Sequence, residues 1–162
     1  MKIKIVVVGC GDRATVYCHE GYDNLKKFEI VACVDPDPER LKYMHEHFGV
    51  SEDMCFSDID RVLKLGKIAD AVINGTMDNL HLKTALPFLK QGYHMLLEKP
   101  LVNNKEDLLL LKKTADENSV KLMTCHVLRY APFYKKIKEL IEDGRIGKVQ
   151  SIATSERVGA YH

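Results

Sequence analysis

A glycine-rich loop between two apolar segments constrains the fold of this chain more than any other feature. Residues 3–8 form an almost continuous β-branched run, which is typical of a strand buried on both faces of a parallel sheet. The loop from Gly9 to Ala14 follows directly, and apolar side chains after it recur at helical spacing. A second apolar run over residues 30–34 ends at Asp35. The pattern predicts a strand, a tight turn, a helix and a second strand.

The positions of this loop match the physical needs of a dinucleotide site. Gly9 permits the tight turn, Gly11 lets backbone N–H groups approach a pyrophosphate, and Ala14 lets the helix pack closely on the strand. The helix N-terminus favours the same anion through its unpaired N–H groups and its dipole. Asp35 follows Ala14 by about 20 residues, the spacing of an acid that binds the ribose hydroxyls. The main alternative is an S-adenosylmethionine site, which also uses a glycine-rich loop and an acid.

Asp35 also bears on the choice between NAD and NADP. A carboxylate there can accept both ribose hydroxyls and would repel a 2′-phosphate, so the residue favours NAD. Pro36 and Asp37 provide no arginine to replace that interaction, whereas Arg40 is near enough in sequence to leave NADP open.

Length and composition narrow the class of protein. The 162 residues suffice for a domain with a sizeable core, and 46% hydrophobic with 29% charged residues is typical of a globular protein. The net charge of +1 comes from interspersed acids and bases, which argues against a nucleic-acid or membrane partner. No apolar run approaches the roughly 20 residues of a membrane span. Five scattered cysteines without metal-type spacing agree with a cytoplasmic protein.

The chain as far as Cys125 alternates predicted strands with predicted helices. Further strands are predicted over residues 54–56, 69–73, 93–97 and 121–124. Helices are predicted to begin at the N-caps Asp37 and Asp78, over residues 59–65, and at a capping box of Asn103 and Glu106. This alternation predicts an α/β fold with a Rossmann-type, doubly wound parallel sheet and right-handed crossovers.

Two histidines in the second predicted helix suggest a metal site at first sight. His45 and His47 lie on either side of Glu46. Residues two apart point to different faces of a helix. We therefore predict a solvated or half-buried helix end here, and no metal site in the chain.

The pattern changes after Cys125. A helix opened by Pro132 is predicted to bury Phe133, Ile137, Leu140 and Ile141, and residues 147–158 are predicted to form an extended strand. A strand without a neighbour leaves its backbone unpaired, so we expect this chain to be the front part of something longer. We predict a dinucleotide-binding domain over residues 1–125, and the connecting helix and first strand of a truncated second domain over residues 126–162.

Four segments carry a resemblance to a known family. They are the loop from Gly9 to Ala14, the Val-Asp-Pro-Asp run at 34–37, the Glu-Lys-Pro run at 98–100, and residues 129–149. In this order they resemble the glucose-fructose oxidoreductase, inositol dehydrogenase and rhizopine-catabolism (Gfo/Idh/MocA) family over essentially the whole chain. The resemblance implies an NAD(P)-dependent oxidoreductase that transfers hydride between a nicotinamide cofactor and a sugar, polyol or related hydroxy compound. It also implies a homo-oligomer in the full-length protein.

The resemblance further implies roles for single residues. Lys99 corresponds to the catalytic lysine near the substrate hydroxyl, and its bond to Pro100 is expected to be cis. The family commonly has Thr-Pro-Asn where this chain has Thr76, Met77 and Asp78, a departure that bears on the adenosine-side contacts. The predicted cofactor-binding residues are Gly9, Cys10, Gly11, Asp12, Arg13, Ala14, Asp35, Thr76, His81, Glu98, Lys99, Pro100 and Arg129.

Two further functions stay open at this point. The family's catalytic Asp and His belong to its second domain, so a chain without them could serve as a non-catalytic, dinucleotide-binding regulatory module. Some relatives use the same hydride step transiently to cleave a glycosidic bond, so an NAD-dependent glycosidase is the other alternative.

Overall fold

In the computed structural model, which describes residues 2–155, the apolar runs form one six-stranded parallel sheet. The strands are β1 (Ile3–Val8), β2 (Phe28–Val34), β3 (Cys55–Phe56), β4 (Ala71–Asn74), β5 (His94–Leu97) and β6 (Leu122–Thr124). They lie in the order β3-β2-β1-β4-β5-β6, and every neighbouring pair is parallel. The order reverses between β1 and β4, as it does in a doubly wound dinucleotide fold. The predicted fold class is therefore confirmed.

Helices connect the strands. They are α1 (Asp12–Cys18), α2 (Pro38–Phe48), α3 (Ile59–Leu63), α4 (His81–Lys90), α5 (Lys105–Glu117) and α6 (Pro132–Glu142). α1 continues without a break into a π-helical turn, His19–Asn24. The predicted start of α2 is confirmed, since Asp37 accepts a hydrogen bond from the Glu39 backbone N–H and Pro38 occupies the first helical position. None of the helices in the described part of the chain is both long and apolar enough to cross a membrane.

The core lies on both faces of the sheet, which explains the continuous apolar run of β1. Val6 and Val8 belong to one buried cluster, while Ile5 and Val7 belong to the other. Successive side chains of a strand point to opposite faces, so a strand covered on both sides needs an apolar residue at every position. Residues of α4 and α5 supply the first cluster, and residues of α1 and α2 supply the second.

Two predicted helix N-caps are wrong. Asp78 caps no α-helix, because it begins a short 3-10 turn (Asp78–Leu80) and α4 starts only at His81. The cap of α5 is Asn104, one residue later than predicted, and its side-chain oxygen accepts from the Asp107 backbone N–H at 2.8 Å.

The chain divides into two compact units, Met1–Cys125 and His126–His162. In the second unit, α6 begins at Pro132 as predicted, but none of its side chains is buried, and Phe133 is 68% exposed. The predicted buried stripe is wrong because, within this unit, only the 3-10 turn Val127–Tyr130 packs beside α6 in the described residues. Residues 147–155 form no strand, since the described residues offer them no partner strand; positions 156–158 of that prediction lie outside the described residues.

Candidate functional site

A cleft of about 380 Å³ opens at the carboxyl ends of β1, β2, β4 and β5, where the strand order reverses. Open α/β sheets bind ligands at this topological switch point. Eight of the predicted site residues line the cleft, namely Gly9, Gly11, Asp12, Arg13, Asp35, Thr76, Glu98 and Lys99. The fold therefore brings together residues that come from four separate strand ends.

Gly9 makes the tight turn at the end of β1 and packs directly against the next loop. Its φ of +79° lies in the left-handed region, and a Cβ there would lie 2.7 Å from the Thr76 backbone nitrogen. Gly75 shows the reciprocal fit, since a Cβ on it would lie 3.0 Å from the Ala14 Cβ. Ala14 itself is fully buried. These small residues let the loops after β1 and β4 approach each other under the cleft.

Gly11 has looser surroundings, because only the end of the Arg40 side chain lies near it. It is the N-cap of α1 and has an extended backbone with φ of −76°. The nearest atoms to a Cβ on it would be the guanidinium atoms of Arg40, at 3.7 and 3.9 Å. Without a side chain, Gly11 cannot cap the first N–H groups of α1, which stay available to an anion. The arrangement gives an oxygen-rich group such as a pyrophosphate close access to the backbone.

Asp35 is buried at the end of β2 and holds two backbone segments in place. Its Oδ2 accepts from the Cys10 N–H at 2.8 Å, and its Oδ1 accepts from the Asp37 N–H at 2.9 Å. A carboxylate has about four acceptor positions, so the two amides and a long contact from Arg40 Nη1 leave capacity for a ribose hydroxyl. The carboxylate therefore fixes the glycine loop to the start of α2, besides the ribose role that the sequence predicts.

Arg40 lies at the rim of the cleft beside two carboxylates. Its Nη1 is 3.4 Å from Asp35 Oδ2, and its Nε is 3.7 Å from Asp37 Oδ2. The side chain is half exposed. One guanidinium between two carboxylates leaves this corner of the cleft with a net negative charge.

The loop after β4 is held by a buried network that the sequence did not reveal. Asn74 Oδ1 accepts from both the backbone N–H and the hydroxyl of Thr76, and its Nδ2 donates to Thr84 Oγ1 at 2.8 Å. His81 is fully buried, with Nε2 3.0 Å from the Thr76 carbonyl and Nδ1 2.7 Å from the Pro100 carbonyl. We expect His81 to position the loops after β4 and β5, since both of its ring nitrogens face carbonyl oxygens.

Glu98 lies almost buried at the end of β5, where Tyr17 of α1 contacts it. The Tyr17 hydroxyl donates to Glu98 Oε1 at 2.5 Å, and the Lys99 backbone N–H donates to Oε2 at 3.0 Å. Burial is the largest cause that raises the pKa of the Tyr17 hydroxyl far above its ordinary value, and the hydrogen bond to Glu98 is the second. Tyr17 therefore stays a neutral donor that fixes the orientation of the carboxylate. No spacing rule links Tyr17 to Glu98 in the sequence, because 81 positions separate them.

Lys99 extends into the cleft directly after Glu98, with an exposed side chain. The bond from Lys99 to Pro100 is cis, as the resemblance implied. Lys99 therefore lines the same cleft as the glycine loop and Asp35.

Three further predicted residues of the first unit do not belong to the lining of the cleft. Cys10 and Ala14 are buried members of the glycine loop, and the Cys10 backbone N–H donates to Asp35. Pro100 contributes its carbonyl to His81. Arg129 lies in the 3-10 turn of the second unit with an exposed side chain.

Comparison with known proteins shows the family to which the chain is related. Residues 3–126 match the family GFO_IDH_MocA, described as an oxidoreductase family with an NAD-binding Rossmann fold. The chain is 30% identical over 142 residues to the putative oxidoreductase YteT of Bacillus subtilis, which covers 83% of this chain and 32% of the relative. It is 28% identical over 158 residues to myo-inositol 2-dehydrogenase of Thermotoga maritima, which covers 96% of this chain and 45% of the relative.

A solved structure shows the same architecture. The WlbA dehydrogenase of Bordetella pertussis, in complex with NADH and UDP-GlcNAcA, superposes with a TM-score of 0.81 at 29% identity, over 91% of this chain and 44% of that protein. The chain thus spans less than half the length of each of these three proteins.

Proposed function

We propose a function for this chain on the premise that it belongs to the GFO_IDH_MocA oxidoreductase family, whose NAD-binding Rossmann fold residues 3–126 match. The proposed function is that of the cofactor-binding part of a dehydrogenase, which moves hydride between a nicotinamide cofactor and a sugar, polyol or related hydroxy compound. We propose cofactor binding for residues 1–125 themselves. Turnover then also needs a second domain of the kind that the resemblance implies, which begins within residues 126–162.

The observation that carries the proposal is the common cleft. The glycine loop, Asp35 and Lys99 come from different strand ends and line the same cavity. A dinucleotide fits the groups present, because Gly11 gives open access to the first N–H groups of α1 and Asp35 has spare acceptor capacity. We infer that the reacting hydroxyl meets the cofactor beside Lys99, since Lys99 lines the same cleft.

The chemistry of the chain's own residues is proton transfer and positioning. The bound nicotinamide supplies the hydride acceptor, so a group beside it must take the hydroxyl proton. We assign that role to the Lys99 amine, which is exposed to the cleft. Glu98 accepts the Lys99 backbone N–H and the Tyr17 hydroxyl, and thereby holds the start of the loop that carries the lysine.

NAD is the favoured cofactor over NADP. Asp35 and Asp37 flank Arg40, so the corner of the cleft at the end of β2 carries a net negative charge. A 2′-phosphate would add further negative charge at this point. Arg40 is half exposed, and it is the side chain that would meet a 2′-phosphate if NADP bound.

The substrate class follows from the relatives' own names. An inositol and a nucleotide-linked sugar acid both present hydroxyl groups on a ring, and compounds with such ring hydroxyls are the proposed substrates.

We propose a cytoplasmic location because all five cysteines are free thiols, which suits a reducing compartment. We further propose that the full-length protein is a homo-oligomer, and that neither nucleic acid nor a membrane is its partner.

The test separates proton transfer from cofactor binding. In the full-length protein, Lys99→Ala is expected to abolish turnover of myo-inositol and UDP-linked sugar acids while NADH affinity, followed by fluorescence titration, changes less than twofold. Lys90→Ala, at the exposed end of α4, is the matched control and should leave both values unchanged. Loss of NADH affinity in Lys99→Ala would contradict the assignment of Lys99 to the reaction.

The same titrations distinguish the alternatives. NADH binding without turnover of any such compound would favour a regulatory module. Cleavage of a glycoside without net accumulation of NADH would favour the transient hydride step of a glycosidase. Binding of S-adenosylmethionine in preference to NADH would overturn the proposal.

A further inference from the structure

A cluster of two histidines and one aspartate lies outside the cleft, between the π-helical turn and the end of α2. His19 Nδ1 is 2.5 Å from Asp23 Oδ2, and His47 Nε2 is 3.1 Å from the same oxygen. The three donor atoms lie within 4.8 Å of one another. One nitrogen of each imidazole therefore contacts the same carboxylate oxygen, so the three donor groups lie side by side. We refer to His19, Asp23 and His47 as the histidine cluster.

Aromatic rings fix the orientation of both imidazoles. The His47 ring stacks on Tyr43 with an interplanar angle of 4°, and both imidazole rings contact Phe48, which is buried. The second nitrogen of His19, Nε2, lies 2.9 Å from the Tyr43 hydroxyl. Ligand histidines commonly have such a partner on their other ring nitrogen, which holds the ring in the binding orientation.

We propose that the histidine cluster is a binding site for a divalent first-row transition ion, with Zn²⁺ as the physiological candidate. Two imidazole nitrogens and one carboxylate oxygen are a ligand set that suits Zn²⁺, and three protein ligands leave a fourth position for water. Mg²⁺ and Ca²⁺ are disfavoured, because they prefer oxygen ligands. The bound ion would link the π-helical turn to α2.

Displacements of at most about 1.4 Å would admit the ion, because no two of the three donor atoms are more than 4.8 Å apart. Tetrahedral ligands at a bond length of about 2.1 Å lie about 3.4 Å apart. The His47–Asp23 pair is already near this separation, and the His19–Asp23 pair must open by about 1 Å. The hydrogen atoms that now join each imidazole to the carboxylate would leave as protons when the metal takes their place.

The residues of the cluster are separated in the sequence, which is why the spacing of the histidines did not predict it. His45 and His47 do point apart, as expected: His45 Nδ1 faces the Val50 carbonyl at 2.7 Å. His47 instead contacts His19 and Asp23, which belong to the π-helical turn after α1. π-Helical turns recur at functional sites in proteins.

The experiment is a titration of the folded full chain with Zn²⁺ alone, followed by calorimetry and by the imidazole ¹⁵N resonances. In the wild-type chain, one equivalent of Zn²⁺ should shift the His19 and His47 resonances and leave those of His45 unchanged. This measurement requires no variant, so it stays decisive even if a substitution disturbs folding. It also distinguishes Zn²⁺ binding at the histidine cluster from Zn²⁺ binding at cysteine thiols, because only the former shifts the His19 and His47 resonances.

Two variants and one matched control complete the test. His47→Gln should abolish the one-equivalent binding, and Tyr43→Phe should weaken it about tenfold, because the second-nitrogen partner of His19 is lost. His45→Gln changes a histidine of the same helix that faces away from the cluster, and should bind Zn²⁺ as the wild type does. Unchanged affinity in His47→Gln, equal loss in His45→Gln, or a Zn²⁺-induced shift of His45 alone would overturn the proposal.

Discussion

Replacement of Gly11 with alanine tests the phosphate loop while it leaves the fold intact. Gly11 has φ of −76° and ψ of −178°, which alanine adopts without strain. The added methyl would meet only the guanidinium end of Arg40, at 3.7 Å. It would nevertheless stand on the side of the loop from which a pyrophosphate approaches the backbone. The variant should therefore fold normally and lose affinity for the cofactor.

The structure allows both effects to be estimated. Gly→Ala at a compatible position stabilises by about 0.4–1 kcal/mol through the unfolded state. Alanine is a poorer N-cap than glycine by about 0.5–1 kcal/mol, so the net change in unfolding free energy should be below about 1 kcal/mol. A methyl group forced into a closely packed contact costs about 1–3 kcal/mol. At 1.4 kcal/mol per factor of ten, NADH affinity should fall about 5- to 150-fold.

Two other glycines provide the controls. Gly66 has φ of +71° with nothing within 4 Å of a Cβ, so Gly66→Ala should cost only the left-handed strain, about 1–2 kcal/mol. Gly9 has similar strain and would also place its Cβ less than 3 Å from three backbone atoms of Gly75 and Thr76. Gly9→Ala should therefore cost about 1–3 kcal/mol more than Gly66→Ala.

The assay is urea unfolding of each variant, paired with NADH titration. The expected order of stability is Gly11→Ala near wild type, then Gly66→Ala, then Gly9→Ala. If Gly11→Ala binds NADH within twofold of the wild type, Gly11 does not lie against the pyrophosphate and the phosphate-loop assignment fails. If Gly11→Ala unfolds at as low a urea concentration as Gly9→Ala, the conclusion that an alanine side chain fits at position 11 is wrong.

Two further predictions concern side chains beside the cleft and in the core. Tyr17→Phe removes the 2.5 Å donor to the nearly buried Glu98, and should lower the unfolding free energy by about 1–3 kcal/mol in urea, whereas Tyr134→Phe at an exposed ring should change it little. Burial raises the pKa of the Cys18 thiol to about 12 and that of Cys125 to about 11, so at pH 8 at most about one thiol in a thousand is ionised. Both should react with a disulfide reagent far more slowly in the folded chain than in guanidinium, and rapid labelling of either in the folded chain would contradict the burial.

Sequence reasoning succeeded where the information is local or repeats along the chain. The cap of α2 at Asp37 and the turn at Gly9 are set by neighbouring residues, and both were predicted correctly. It failed at Asp78, because α4 starts only at His81 with Leu80 as a cap that makes no side-chain hydrogen bond, and at Asn103, because the neighbouring Asn104 is the cap. It also failed for α6, because an apolar stripe shows that a helix can be buried and leaves its partner undefined.

The sequence by itself determined the parallel α/β sheet, the glycine loop and the set of strand-end residues from Asp35 to Lys99, because the period of apolar residues and the backbone needs of glycine act over a few positions. Only the tertiary structure decided which of these residues share a cleft, that Asp35 also holds the Cys10 and Asp37 amides, and that Tyr17 pairs with Glu98. It alone decided that His47 meets His19 and Asp23 rather than His45. Such contacts join residues far apart in the chain, and their energies depend on distances that no local pattern records.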